Sequence, residues 1–306
     1  MDTIDGMRTF AAVVSEGSFS QGAGRRDMSP QLASKYVAQL EARLGVRLLN
    51  RSTRQLSLTE AGRAYYERVQ QVLADIDDME NAVGDMTARA RGTLRINAPM
   101  TFGILHLTRA IIEYRRTQPE VEIDLTLNDR VVDIVSEGFD LAIRIGRLEE
   151  SSLVARALAP ARLVVCGAPA YLERHGIPET ADELSGHACL RYAYSADQDI
   201  WRLERDGRTH NVQIKGPFAA NNGEALRMAA LAGEGIVLQP TFIIGDDMRA
   251  GRLKPVLEAY STPALHVHAV YAHRQYLSAK VRTFVDFLAG YFGSPPYWDR
   301  STRPGH

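Results

Sequence analysis

Three textures of apolar and polar positions run along this chain. In MSPQLASKYVAQLEARLG, Leu32, Ala33, Tyr36, Val37 and Leu40 recur at spacings of three and four, which predicts an amphipathic helix. Ser29 is placed to cap it, and Pro30 suits its first position, where a missing N–H costs nothing. Gly45 is placed to end it. The other face carries Gln31, Ser34, Lys35 and Gln39, all polar and mostly able to donate hydrogen bonds. Upstream, FSQGAGRRDM reads as a shorter helix, with Asp27 in a turn whose backbone Asp tolerates better than most residues. Downstream, LLNRSTRQLSL reads as two short strands turning at Ser52 and Thr53, with Arg51 and Arg54 flanking the tip.

The second texture begins at Thr59, a capping residue followed by Glu60, whose charge favours a helix start. Val69, Val72, Ile76, Met79, Val83 and Met86 are then spaced 3, 4, 3, 4 and 3 residues apart. This heptad seam, with largely charged positions between, predicts a helix from 59 to about 88. It would be roughly 45 Å long. So narrow a seam on so polar a helix fits a partner helix; packing against its own domain is the competing reading.

The third texture follows ARARG. TLRINAP, a helical stretch from Phe102 to Thr117, VEIDLTLN, Val131 to Glu137 and FDLAIRIG alternate strand and helix patterns. ARLVVCGAP and NVQIKGPFAANNGEALRMAALAGEGIVLQP repeat them, and LHVHAVYA with a helix over Ser278 to Ala289 closes the set. Alternation of this kind predicts an α/β domain with mainly parallel strands. The tail GSPPYWDRSTRPGH has adjacent prolines and little to bury, so residues 293–306 are expected to be mobile.

Composition changes this picture in one place. The net charge is only −1, yet residues 25–63 hold eight basic side chains against three acidic ones. The following segment reverses the sign, with Asp75, Asp77, Asp78, Glu80 and Asp85 and no base between Arg68 and Arg89. So local an imbalance points to an N-terminal module with a polyanionic partner. The length of 306 residues suggests two or three domains, and 45% apolar with 24% charged content is ordinary for a globular protein. No apolar run nears the length of a membrane span. The first twenty residues carry Asp2, Asp5 and Glu16 and lack a basic start, so no export signal is evident and a cytoplasmic location is expected. Cys166 and Cys189 lie in apolar, strand-like sequence and are expected to be buried thiols rather than a redox pair.

Two helices joined by a tight turn, the second presenting small polar donors, is the arrangement that enters a DNA major groove. On this reading Ser29, Pro30, Gln31, Ser34, Lys35 and Gln39 face DNA, with Gln31 and Lys35 reaching base edges. Arg51, Ser52, Thr53 and Arg54 form a wing that touches phosphate or a minor groove. The competing reading is an ordinary amphipathic helix followed by a solvated hairpin.

The run from FAAVVSEGSFSQGA through LEARLGVRLLNRSTRQLSLTEAG resembles the winged helix-turn-helix of LysR-type transcriptional regulators over roughly residues 5–64. Gly22 and Gly24 depart from the alanines usual there, and Arg26 replaces a usual leucine. Each glycine should cost about 1 kcal/mol of helix stability against alanine. EGFDLAIRIG and AANNGEALRMAALAGEGIVLQP resemble the effector domain of the same family, itself similar to type 2 periplasmic binding proteins, up to about residue 292. The resemblance implies a multidomain fold: an all-α winged helix-turn-helix over 1–58, a dimerisation linker helix over 59–90, and an α/β effector domain over 91–292. In that domain subdomain I would take 91–160 and 266–292, and subdomain II 161–265, joined by two crossovers. The implied partners are double-stranded promoter DNA, a small-molecule effector and further copies of the chain in a homodimer or homotetramer. RNA polymerase is a further candidate; no membrane and no cofactor are expected.

In open α/β sheets, ligands bind beyond the carboxyl ends of strands, at helix starts. NAPMTFG is one such turn, with Thr101 as the expected cap and the Thr101 and Phe102 N–H groups free beside Met100. AANNGEAL is a second, with Asn222 as its cap before Gly223. Two helix starts facing one cleft favour an anion, so a carboxylate-bearing effector is expected, with Arg147 adding a cation at the rim. The plain alternative is that each polar residue caps only its own helix.

Enzyme motifs are missing. The chain has no Walker A loop, HExxH, GxSxG or CxxC, and GEGIVL lacks the third glycine of a dinucleotide fingerprint. His266 and His268 alternate on one strand face without an obvious third metal ligand. A stand-alone solute-binding protein and an α/β enzyme remain as rivals, and both leave residues 1–90 unexplained.

Overall fold

Helix α1 (Thr3–Ser15) starts at Asp2, whose carboxylate accepts the Ile4 N–H. A computed structural model describes residues 2–51, 56–84, 89–147, 153–195, 199–272 and 277–300, which fall into two units, 1–88 and 89–306. In the first unit α1 packs with α2 (Phe19–Gly24) and α3 (Pro30–Leu44) around Phe10, Val13, Ala23, Ala33, Val37 and Leu40. The turn between α2 and α3 holds Asp27 at φ 50°. Ser29 accepts the Leu32 N–H at 3.2 Å, Pro30 opens α3, and Gly45 ends it at φ 67°. These ends follow the sequence reading because caps are local chemistry. Leu32 departs from it. It stands 38% exposed on the outer face, while Ala33, Val37 and Leu40 alone of the stripe are fully buried. Gly22 also finds its reason here: a Cβ would sit 2.6 Å from the Val13 Cα, so the bare glycine lets α2 lie directly on α1.

Strands β1 (Leu49–Arg51) and β2 (Leu56–Leu58) pair antiparallel, with Leu49 opposite Leu58 and Arg51 opposite Leu56. The Glu41 carboxylate accepts the Leu48 and Leu49 N–H groups, fixing the entry to this hairpin. Thr59 caps helix α4 (Glu60–Gly84), its hydroxyl accepting the Gly62 N–H at 2.9 Å. Phe10 meets Tyr65 and Tyr66 of α4 at 5.8 and 6.1 Å. One seam position is corrected. Val69 is buried in the single chain, so the first exposed position of the expected seam is Val72, at 42%, followed by the half-buried Ile76. The side chains of Met79 and Val83 and all of Met86 lie outside the described residues.

In the second unit β3 (Gly92–Ala98) leads into one helical run: α5 (Met100–Phe102), a π turn over Gly103–Leu107, and α6 (Thr108–Thr117). Strands β4 (Val121–Leu127), β5 (Leu141–Gly146) and β6 (Leu153–Ala161) follow. After Arg162 come β7 (Leu163–Gly167), α7 (Pro169–His175) and β8 (Cys189–Tyr192). A hairpin of β9 (Ile200–Arg205) and β10 (Arg208–Gln213) precedes β11 (Ala219–Ala220), α8 (Gly223–Leu231), β12 (Ile236–Pro240), α9 (Thr241–Arg249) and β13 (Lys254–Pro255). The chain returns through β14 (Leu265–Ala272) and α10 (Ala279–Tyr291).

Two five-stranded sheets result, ordered β4-β3-β5-β14-β6 and β11-β8-β12-β7-β13. The expectation of mainly parallel strands fails. β3 runs parallel to β4 and β5, and β8 to β11 and β12, but β14 is antiparallel to β5 and β6, and β7 to β12 and β13. The reversed strands are those that enter a sheet from the other lobe without the long crossover that parallel pairing needs.

Cys166 and Cys189 are free and buried, on strands separated by β12, and belong to different cores. Burial pushes both thiols up to about 12. The tail is corrected as well. Trp298 is only 4% exposed and packs against Phe102, His106, Phe242 and Phe292, so residues 293–300 are seated, not mobile. Its indole is the apolar payload that the polar letters around it disguise.

Candidate functional site

The first candidate site is the outer side of α3. Ser29, Pro30, Gln31, Lys35 and Gln39 are exposed there, and Ser34 is half-buried. Leu32, placed by its spacing on the core face, stands among them instead. Of the four expected wing residues, Arg51 is described in its backbone alone, and Ser52, Thr53 and Arg54 lie outside the described residues. Of the local cations, Arg25 pairs with Glu16 at 2.8 Å and Arg26 with Asp5 at 3.1 Å, so the excess positive charge falls on the later positions.

The second candidate site lies between the two sheets, where strands β3, β4 and β8 end. Asn222 caps α8 as expected, its Oδ1 accepting the Glu224 and Ala225 N–H groups at 3.0 and 3.3 Å. Its Nδ2 reaches the other lobe, donating to Asp129 Oδ2 at 2.7 Å and lying 3.4 Å from Thr101 Oγ1. Gly223 follows because a Cβ there would press on Ile243 and Gln239. Met100 is 42% exposed at the cleft, and Arg147 is exposed just beyond β5.

One expectation about this site is corrected. Thr101 is not a cap: the helical run starts at Met100 after Pro99, and the buried Thr101 hydroxyl faces Asn222 instead. The Phe102 ring is fully buried against His106, Phe242 and Phe292, so the expected contribution of this residue stays with its backbone N–H. The Met100 N–H, which precedes the two expected to be free, has a partner. A helix start leaves its first N–H groups without intrahelical partners, and Asp129 Oδ1 takes that of Met100 at 2.9 Å. Asp129 was missed, although it follows the end of β4 and obeys the same strand-end rule that drew attention to Thr101.

Around this point the walls are polar and fixed. Arg144 donates to Asn97 Oδ1 at 2.7 Å and to the Val132 carbonyl at 3.2 Å, and burial lowers its pKa. Burial, and then the Asp129 charge, push the Tyr192 phenol up to about 12, so it remains a neutral donor. Asn221 donates to the Tyr194 hydroxyl at 3.2 Å. His266 and His268 lie 5.9 Å apart, and among the described residues no three His, Cys, Asp or Glu side chains form a group that holds a metal. No described helix is long and apolar enough to cross a membrane.

A winged helix-turn-helix followed by a two-lobed α/β domain defines a transcriptional regulator with a substrate-binding domain. Residues 4–63 match the family model described as bacterial regulatory helix-turn-helix protein, lysR family, and residues 87–293 match that of the LysR substrate binding domain. The chain is 37% identical over 281 residues to an uncharacterized HTH-type transcriptional regulator of Haemophilus influenzae, covering 92% of this chain and 98% of the relative. It is 34% identical over 293 residues to the HTH-type transcriptional regulator DmlR of Escherichia coli, covering 94% of each. The solved structure of CrgA, a LysR-type transcriptional regulator from Neisseria meningitidis, is similar with a TM-score of 0.60 and 32% identity, over 93% of this chain and 97% of that one. The chain belongs to the LysR family of bacterial transcriptional regulators and is not an enzyme.

Proposed function

We propose that this regulator binds double-stranded promoter DNA as a homodimer, able to assemble further to a homotetramer, and that a small-molecule effector in the interlobe cleft modulates that binding. In this reading residues 1–58 read DNA, 59–90 pair through Val72, Ile76, Met79, Val83 and Met86, and 91–292 sense the effector. The protein acts in the cytoplasm, where promoter and RNA polymerase are at hand. Two reading heads on a two-fold dimer would see two half-sites.

One observation supports the cleft above all: Asn222 of one lobe meets Asp129 and Thr101 of the other at 2.7 and 3.4 Å. A molecule seated at Met100, Thr101, Asn222 and Gly223, with Arg147 at the rim, touches both lobes and so favours one arrangement of them over another. An anionic effector at this point has to displace Asp129, because two carboxylates compete for the same donors.

Base reading is tested on DNA selected from a random pool. Gln31→Ala should relax preference by about 1–3 kcal/mol at one base position. Arg54→Ala should weaken binding on all sequences and reduce the salt slope by about one unit. If the arginine variant changed preference and the glutamine variant did not, this division of labour would be wrong.

A further inference from the structure

We infer that Asp129 sets the class of effector this cleft takes, because its carboxylate is a built-in anion seated between the Met100 helix start and the Asn222 amide, which leaves that position to uncharged or cationic hydrogen-bond donors. The inference rests on reading the cleft as the effector site.

The geometry is specific. Asp129 Oδ1 accepts the Met100 N–H at 2.9 Å from its own lobe, and Oδ2 accepts Asn222 Nδ2 at 2.7 Å from the other lobe. A carboxylate has two oxygens and about four acceptor sites. Two are used, and those remaining accept only from a hydroxyl, an amide N–H or an ammonium. The helix start, which would otherwise attract a ligand's negative charge, is already neutralised from within. A second carboxylate there would lose its donors and meet a like charge a few ångströms away. Tyr192, the neighbour that feels the Asp129 charge, is a neutral phenol and adds no positive charge to offset that repulsion. The same carboxylate also ties the lobes together, so the cleft has a self-supplied bridge before any effector arrives.

If Asp129 fills an anion position, removing it should create an acetate site. The full-length protein, Asp129→Ala and Asp129→Asn are melted in acetate and in chloride of equal ionic strength. The wild type and Asp129→Asn, whose amide still fills the space, should melt alike in both salts. Asp129→Ala should gain a saturable rise of about 2–4 °C in acetate, at concentrations roughly tenfold above its dissociation constant. A folded Asp129→Ala that melts alike in both salts overturns the inference. Wild-type crystals soaked in acetate give an answer even if Asp129→Ala does not fold. Acetate on the Met100 and Asn222 donors with Asp129 turned aside overturns the inference, and Asp129 remaining in place supports it. Operator binding of the same proteins is read separately by electrophoretic shift. If no ligand alters it in any of them, the effector reading falls while the acetate result still decides what Asp129 occupies.

Discussion

Tyr297 and His106 are 191 residues apart in the chain, yet the tyrosine hydroxyl lies 2.7 Å from the imidazole Nδ1. The other ring nitrogen, Nε2, lies 2.9 Å from the Phe242 carbonyl, which only accepts, so Nε2 carries the proton and Nδ1 accepts from Tyr297. His106 sits on the π turn of the first lobe and Phe242 on α9 of the second, and Arg249 of α9 donates to the Trp298 carbonyl at 3.1 Å. The C-terminal segment is therefore a structural part of the effector domain.

Trp298→Ala should destabilise the effector domain by about 3–5 kcal/mol, the range for removing a large buried aromatic. Denaturant melting of the full chain checks this. A change below about 1 kcal/mol would show that the indole is not part of the core.

The histidine gives a pH dependence. Burial is the main cause lowering the His106 pKa, partly opposed by the Phe242 hydrogen bond. The unfolded chain, with a histidine pKa of about 6.5, takes up its proton before the folded one does. Stability from this group is therefore full above that value and declines as pH falls towards the folded pKa. Replacing His106 with Gln should flatten that part of the pH–stability curve, measured by urea melts from neutral to mildly acidic pH. An unchanged curve would mean that another group carries the slope.

The two glycines of α2 should respond in opposite directions. At Gly24 a Cβ meets nothing within 4 Å, so Gly24→Ala should stabilise by up to about 1 kcal/mol. At Gly22 the added Cβ strikes the Val13 backbone, so Gly22→Ala should destabilise by about 1–3 kcal/mol. Thermal melts of the pair, with wild type alongside, decide it.

Assembly is tested at Ile76, half-buried on α4 and central to the proposed stripe. Ile76→Asp would place an unpaired charge in a helix contact. The expected outcome is loss of the dimer in sedimentation, with far-UV circular dichroism retained. Sedimentation like that of wild type would reject the stripe.

What was legible in the sequence follows from how far each feature reaches. The ends of α3 could be read because Ser29, Pro30 and Gly45 act within a turn of themselves. The cap at Asn222 was legible for the same reason. The place of Asp129 at a strand end was legible too, but its bonding was not, since its donors lie 29 and 93 residues away and only the folded lobes bring them together. Trp298 sat among prolines and charged residues, and its partners Phe102 and Phe242 come from distant helices. The direction of β7 and β14 depends on which lobe each strand arrives from, a matter of topology that periodicity does not encode. Leu32 fitted an apolar stripe by spacing, but Ala33, Val37 and Leu40 were enough to cover the core.

Cys166 and Cys189 back onto different cores, with pKa values of about 12, so neither offers the thiolate that oxidants and alkylating agents attack. The natural chain is thus a silent background for thiol chemistry. A maleimide dye should attach only where a surface cysteine has been added, and a dye pair, one on each lobe, would follow their movement without removing a native residue.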